Sequence, residues 1–442
     1  MHRQAEAEWW RPNVVARYSE RTEHPVETAP DAAGSPVPFW AMMVFTFILL
    51  FAPQSYSPAL ASFRIALLTA IVAVIAYLID RLRRGLPIMM HTREIWLAVC
   101  LSGWAAVTVP FSYWPGGSVE VLLGQYFKTL AIFWLLSHTV TTPARFRHVA
   151  WGLSLMAIGL GVTAVDNYFS DTVSIPGGDD APSRMFGNES ALKNPNDLAL
   201  MLNLILPLNV ALLLVSRTIP ARSLLLASVL LLTFAIILTY SRAGFLTLAT
   251  TFTLYLWKLR NRPERVWTRA ILVVLLACLP LLPASYVDRL STIIKINADQ
   301  TGSAQERLRD TMAAVNHAFS NPVVGAGLGM NVLALNEVRG ATWTSVHNVY
   351  LEYAMDLGLP GLALFLLLFA GCVKNTVCVQ EQSDGIPARR ELFSFAEGLQ
   401  ISLIAFAVAG LFHPVAYHFY FYYIAGLAVA IKAVYETEAR QA

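Results

Sequence analysis

The sequence predicts an all-α, polytopic integral membrane protein with about twelve transmembrane helices. Of its 442 residues, 56% are hydrophobic and only 14% are charged, whereas soluble proteins usually carry about 25% charged residues. The mean hydropathy is +0.53. Apolar segments recur at the length of about 20 residues that a helix needs to cross the hydrocarbon core. Together these observations exclude a soluble protein.

Twelve such segments follow one another along the chain. The seventh and eighth are separated only by residues 239–242, which predicts a tight turn at a membrane surface. The ninth and tenth are separated by the long polar loop 286–345. The predicted helices begin near Pro38, Leu60, Ile95, Val119, Val149, Asp197, Ser223, Ala243, Thr268, Val346, Phe393 and Val415.

The distribution of basic residues predicts the orientation, because cytoplasmic segments of membrane proteins are enriched in Lys and Arg. With both termini inside, most of the 32 Lys and Arg residues fall on the cytoplasmic side and only eight fall outside. The N-terminal tail has no short apolar core, so it is not expected to be a signal peptide. The resulting segments are a cytoplasmic tail (1–37), helices 1–9 (38–285), an outside loop with short helices (286–345), helices 10–12 (346–436) and a cytoplasmic tail (437–442).

The outside basic residues are the first indication of a ligand. Arg242 lies in the turn before the eighth helix, where a guanidinium is costly unless it is paired or bound to a ligand. Its planar fork matches a phosphate group, although snorkelling to the interface is the simpler alternative. The other seven lie in longer loops, which translocate whatever charge they carry: Arg184, Lys193, Arg289, Lys295, Arg307, Arg309 and Arg339.

The loop before the sixth helix contains a second candidate phosphate site. Asn194, Pro195 and Asn196 predict a helix start, with one of the two asparagines as its cap. Free backbone N–H groups at that end, together with Arg184 and Lys193, would suit a phosphate. An ordinary capped helix with two solvated cations explains the same residues equally well.

In the long loop, residues 306–318 predict a helix. Arg307 and Arg309 differ by two positions and therefore point to different sides of it, so at most one is expected to face a site lined by Arg242. The other is expected to pair with a neighbouring acid. The glycine-rich run 325–329 predicts a flexible return toward the membrane.

His347 is the candidate catalytic residue. It follows Thr344 and Ser345, which are expected to cap the tenth helix, so the ring is predicted to lie in the first turn, where the helix dipole disfavours the imidazolium. A neutral ring is what a general base requires. Asn348 and Tyr350 are expected beside it as substrate-binding residues. A hydrogen-bonded structural histidine is the alternative.

Two acids within the tenth helix need partners. Glu352 and Asp356 are like-charged neighbours at i and i+4, so at least one is expected to be paired or to line a polar cavity. Arg64 and Lys128, within other helices, are candidate partners. The same charges would form an ion path in a transporter, but the sequence shows neither inverted repeats nor broken helices.

Other chemistry is not expected. The sequence contains no phosphate-binding loop or dinucleotide fingerprint, which argues against a nucleotide-driven pump. The four cysteines show neither metal-ligand spacing nor a pairing pattern. Asp179 and Asp180 follow two glycines, which favours a turn over a metal site. We therefore expect no metal, no cofactor and no nucleic-acid partner.

In combination, these landmarks resemble the O-antigen ligase and polymerase superfamily. They are the run 193–196 at the start of a helix, the run 241–243, Arg307 in the long loop, and His347 at a helix start followed by the run 358–361. They occur in order, on one side of the membrane, over roughly residues 180–365.

The resemblance implies a metal-independent glycosyltransferase with a GT-C-like fold in the bacterial inner membrane, its active site facing the periplasm. The donor would be O-antigen on undecaprenyl pyrophosphate and the acceptor a sugar hydroxyl of lipid A-core, both among membrane lipids. His347 would deprotonate the acceptor while Arg242 and Arg307 hold the pyrophosphate, with inversion at the anomeric carbon. Substrate binding would fall to Arg184, Lys193, Asn194, Asn196, Arg309, Asn348 and Tyr350.

Two other activities within the superfamily remain alternatives. O-antigen and polysaccharide polymerases often show an Arg-x10-Gly motif in their outside loops, and no outside arginine here has Gly eleven positions on. Protein O-oligosaccharyltransferases usually carry a longer C-terminal soluble region than this chain. A ligase is therefore the expected activity.

Overall fold

The computed structural model describes residues 35–53, 63–169, 194–260, 262, 303–340 and 343–441. Every long regular element in these ranges is a helix. The predicted ninth helix near Thr268, the N-terminal tail, and Arg184 and Lys193 lie outside them. The described helices are α1 Pro36–Phe51, α2 Ile65–Arg83, α3 Arg93–Thr108, α4 Pro115–Thr139, α5 Pro143–Phe169, α6 Pro195–Val215, α7 Ile219–Leu238, α8 Arg242–Leu259, α9 Ser303–Ser320, α10 Asn331–Arg339, α11 Val349–Ser383, α12 Arg390–Ala409 and α13 Phe419–Gln441.

Within the described ranges, eight helices are long and apolar enough to cross a membrane: α2 to α7, α11 and α12. Helices occupy every predicted position that falls in these ranges, so the all-helical, polytopic class is confirmed. The total of twelve spans and the GT-C-like arrangement remain predictions. At the C-terminus α13 continues to Gln441, through most of the segment expected to be a tail from 437.

The bundle has a central pair of buried helices and an apolar outer surface. α6 packs extensively against α12, and 78% of the apolar window of α6 and 72% of that of α12 are buried, against 22% for α2. The exposed side of α2 carries Leu68, Val72 and Ile75. An apolar outward surface of this kind suits contact with hydrocarbon, because water would penalise it.

The helix that follows His347 is kinked near its start. Within α11, Gly358 has φ 65° and ψ −174°, and Pro360 follows two residues later. That backbone conformation is essentially restricted to glycine. A Cβ added at Gly358 would lie 2.3 Å from the carbonyl oxygen of Val323. The kink therefore exists where the outside loop crosses the helix.

The glycine-rich run 325–329 is fastened to this kink. The backbone N–H of Ala326 donates to the carbonyl of Met355 at 2.7 Å, and that of Gly327 donates to the carbonyl of Asp356 at 2.9 Å. The sequence predicted a flexible return here. The structure gives the glycines a different role, because their positive φ angles and missing side chains allow close backbone contact with α11.

We expect Gly358→Ala to destabilise the fold by about 2 kcal/mol or more, because it combines a strained φ with a backbone clash. Gly103→Ala is the matched control: Gly103 is in α3, and nothing lies within 4 Å of an added Cβ there. An exposed helical Gly→Ala change is neutral or stabilising. Thermal unfolding in detergent measures both variants, and equal midpoints would contradict the role given to Gly358.

Candidate active site

His347 lies immediately before α11 rather than within its first turn. The helix begins at Val349, and its cap is Asn348, whose Oδ1 accepts hydrogen bonds from the N–H groups of Tyr350 and Leu351 at 2.9 and 3.1 Å. The prediction that Thr344 and Ser345 cap the helix is wrong. Asn348 was predicted to bind substrate, but its side-chain oxygen already accepts the two hydrogen bonds of this cap.

The imidazole of His347 is nevertheless held neutral near pH 7. The side chain is half-buried, and burial, followed by the positive charge of Arg307, lowers its pKa to about 4. The imidazole is neutral as predicted, but the cause is burial and the charge of Arg307 rather than the helix dipole. Its Nδ1 atom is buried and has no hydrogen-bond partner among the described residues.

The chain before His347 is fixed by a buried asparagine. Asn331, at the start of α10, accepts a hydrogen bond from the N–H of Val346 at 3.3 Å through its Oδ1. Its Nδ2 donates to Oδ2 of Asp356 at 3.1 Å, and the same oxygen accepts the N–H of Gly329 at 3.1 Å. Asn331 is 3% exposed and Asp356 is fully buried. A polar chain thus runs from α11 to the residue before His347.

The chain after His347 is fixed by the end of α12. The N–H of Val349 donates to the carbonyl of Gly410 at 2.8 Å, and the hydroxyl of Tyr350 donates to the carbonyl of Ala407 at 2.9 Å. Tyr350 was predicted to bind substrate, but its hydroxyl already donates a hydrogen bond within the protein. His347 lies between two anchored points, which restricts where its ring can go.

The acids of α11 do not pair with the predicted cations. Glu352 accepts a hydrogen bond from the N–H of Ala416 at 2.9 Å, and Asp356 is bonded as described above. Among the described residues, neither acid has an ion pair with Arg64 or Lys128. The suggested pairing is wrong. Glu352 accepts a backbone N–H, and Oδ2 of Asp356 accepts a backbone N–H and the amide of Asn331, contacts that local sequence patterns do not reveal.

Arg307 and Arg309 differ in their surroundings as their spacing predicted. Arg307 is half-buried and its charge acts on both His347 and His413, whereas Arg309 is exposed. The acid of the same helix, Asp310, forms an ion pair with Arg339 of α10. Arg339, one of the cations predicted to lie outside, therefore has a structural partner.

His413 is a neighbour that the sequence reasoning did not assign to the site. It is 2% exposed, and its ring nitrogens lie 2.8 Å from the carbonyl of Ala409 and 3.2 Å from that of Asn196. Burial lowers its pKa, and Arg307 lowers it further. The sequence signal is a His-Pro pair followed by an aromatic run, a pattern that is also typical of an interfacial aromatic belt.

Arg242 begins α8 after a tight turn, as predicted. Ser241 caps the helix by accepting the N–H of Gly244 at 3.1 Å, and Asn203 of α6 donates to the carbonyl of Gly244 at 3.1 Å. The preceding Tyr240 has φ 53°, which makes the turn abrupt. These bonds hold the start of α8 against α6, and the side chain of Arg242 is half-buried there.

The start of α6 joins this end of the bundle to His413. Asn194 is the cap, accepting the N–H of Asn196 at 3.0 Å, and the carbonyl of Asn196 faces His413. Arg307, His347, His413 and the starts of α6 and α8 therefore belong to one end of the bundle.

The expected absence of a metal stays a prediction. Among the described residues, no group of three or more His, Cys, Asp or Glu side chains is placed to hold a metal ion. Asp179, Asp180, Arg184 and Lys193 lie outside the described residues, so their predicted roles remain predictions.

Comparison with known proteins gives two family matches. Residues 30–217 match a family of unknown function (DUF5935), and no curated protein matches the chain. Residues 227–366 match the family described as O-Antigen ligase, and this segment contains Arg242, Arg307 and His347. The resemblance inferred from the sequence is thus confirmed by the match of residues 227–366 to the O-antigen ligase family.

Proposed function

We propose that this protein is an O-antigen ligase that transfers O-antigen polysaccharide from undecaprenyl pyrophosphate to a sugar hydroxyl of lipid A-core. The observation that carries the proposal is a neutral histidine, His347, held beside Arg307 within the segment that matches the ligase family. A neutral base and a nearby cation are the two groups that glycosyl transfer from a pyrophosphate needs.

In this reaction His347 takes the proton of the acceptor hydroxyl as that oxygen forms a bond to the anomeric carbon of the donor. The bond from the same carbon to the pyrophosphate oxygen breaks, and undecaprenyl pyrophosphate leaves with the electron pair. Arg307 and Arg242 stabilise the charge on the leaving group, as guanidinium forks bind phosphate oxygens well. Direct attack opposite the leaving group inverts the anomeric carbon.

We further propose that the site faces the periplasm from a multi-pass protein of the inner membrane with both termini in the cytoplasm. The excess of Lys and Arg in the segments assigned to the cytoplasm supports this orientation. No metal takes part in the proposed step, because the arginines take the electrostatic role that a bound cation has in many phosphate-transfer sites.

The first test is ligation by purified protein in detergent, with chelator present, from lipid-linked O-antigen and lipid A-core. His347→Gln should lower kcat about 100-fold or more, which is the usual contribution of a general base. His91→Gln is the control, because His91 is exposed and only stacks on Trp96. If His347→Gln kept the wild-type rate, His347 would not be the general base. Transfer to a second O-antigen chain or to a protein would assign one of the alternative activities.

The two arginines of α9 give a test of the electrostatics. His347 with a pKa of about 4 is neutral above that value, so the rate should hold down to about pH 5 and fall below it. Arg307→Gln removes a charge that lowers this pKa, so the acid limb should move to higher pH while the turnover falls. Arg309→Gln should change neither. Identical pH–rate profiles for the two variants would contradict the assignment of Arg307.

Asn331 is proposed as a positioning residue for His347. Asn331→Ala breaks both the bond to Val346 and the bond to Asp356, so kcat should fall about tenfold while KM for the lipid-linked donor stays nearly constant. The control is Asn336→Ala in the same helix, because Asn336 accepts the N–H of Trp343 at 2.8 Å and does not contact this chain of bonds. Equal losses of kcat in both variants would show general loosening of the loop.

A further inference from the structure

A second polar concavity lies at the end of the bundle opposite His347. It has a volume of about 270 Å³ and lies between the end of α6, the segment after α8, the turn after α11 and the start of α12. His347 precedes the first residue of α11 and this cavity contains its last residue. The part of α11 after the Gly358 kink, residues 359–383, alone is roughly 40 Å long. The cavity is therefore not part of the proposed active site.

The cavity is lined by three arginines, Arg217, Arg262 and Arg390, and by one carboxylate, Asp384. Arg262 is already paired, because both of its terminal nitrogens donate to Glu397 at 2.9 and 3.0 Å.

Glu397 has two cations beside it, Lys258 and Arg262, so one positive charge near the cavity is not neutralised. Lys258 lies 3.8 Å from Glu397, so that buried acid is shared between Lys258 and Arg262. Arg217 has no ion pair within the described residues. Arg217 and the extra cation at Glu397 together outnumber Asp384, so this part of the lining carries a positive charge that favours anions.

A buried hydroxyl in the wall distinguishes this cavity from an ordinary basic surface. Ser383 is 1% exposed and lines the cavity, and its Oγ has no hydrogen-bond partner among the described residues. Burying a hydroxyl without a partner costs free energy. Arginines alone would be expected at this end of a membrane bundle for reasons of topology, but that rule does not account for an unbonded serine in a concave wall.

We propose that this cavity binds a phosphate-bearing anion, with the phosphate contacted by Arg217, Arg390 and the hydroxyl of Ser383. Phosphate oxygens accept bonds from guanidinium groups and hydroxyls, and charge-assisted bonds of this kind are strong. The volume lies near the lower limit for small-ligand pockets, so it suits a phosphate with little attached to it. That phosphate belongs either to the headgroup of an anionic phospholipid or to a free ion.

The experiment measures ligand-induced shifts in the thermal midpoint of the full chain in neutral detergent. One arm titrates inorganic phosphate against chloride of equal ionic strength, and the other titrates short-chain phosphatidic acid against short-chain phosphatidylcholine. The variants are Arg217→Gln and Ser383→Ala. The control is Arg83→Gln, an exposed arginine at the end of α2 that does not line the cavity.

Wild type and Arg83→Gln should bind with equal affinity, and each cavity variant should bind about tenfold more weakly. Saturation by inorganic phosphate would identify a soluble ion, and saturation by phosphatidic acid alone would identify a lipid headgroup. Absence of any shift in wild type, or equal affinities in all variants, would overturn the proposal. Because binding is the readout, the result is independent of glycosyltransferase activity.

Discussion

The structure around His347 depends on one buried carboxylate. Asp356 is fully buried within α11, a placement that is costly for an acid. Its Oδ2 accepts hydrogen bonds from the N–H of Gly329 and the amide of Asn331. Such a group adds little net stability, because its bonds replace those that water would make. Its consequence is positional, since it fixes which part of the outside loop lies against the helix.

The kink at Gly358 makes that fixation possible. A straight helix would pair the carbonyl of Met355 with the N–H of Leu359, whereas Pro360 has no N–H to donate to the carbonyl of Asp356. Here both carbonyls accept N–H groups of the glycine-rich run. The loop and the helix therefore behave as one unit at this level. The position of His347 follows from it, because Asn331 carries the constraint to Val346 and the end of α12 holds Val349.

Hydropathy alone predicted the long apolar helices of the described residues, because the length of an apolar segment does not depend on its neighbours. The cap at Asn194 could also be predicted from the sequence, because it joins residues two positions apart. The start of α11 could not, because several residues before it have cap-forming side chains and only the three-dimensional contacts select Asn348. The partner of Asp356 lies 25 residues away, so no local pattern reveals it. His413 could not be predicted from the sequence, because the aromatic residues that follow it are equally typical of an interfacial belt.

The proposed reaction places an apparent conflict at His347, since a base with a pKa of about 4 is weak at neutral pH. The conflict is resolved by the donor. Arg307 lowers this pKa in the ligand-free protein, and the negative charge of a bound pyrophosphate opposes that effect. In the proposed reaction, donor binding would therefore raise the basicity of His347 at the moment when a proton must be accepted. By linkage, protonation of His347 favours donor binding equally, so the base is weak without donor and stronger when the leaving group is in place.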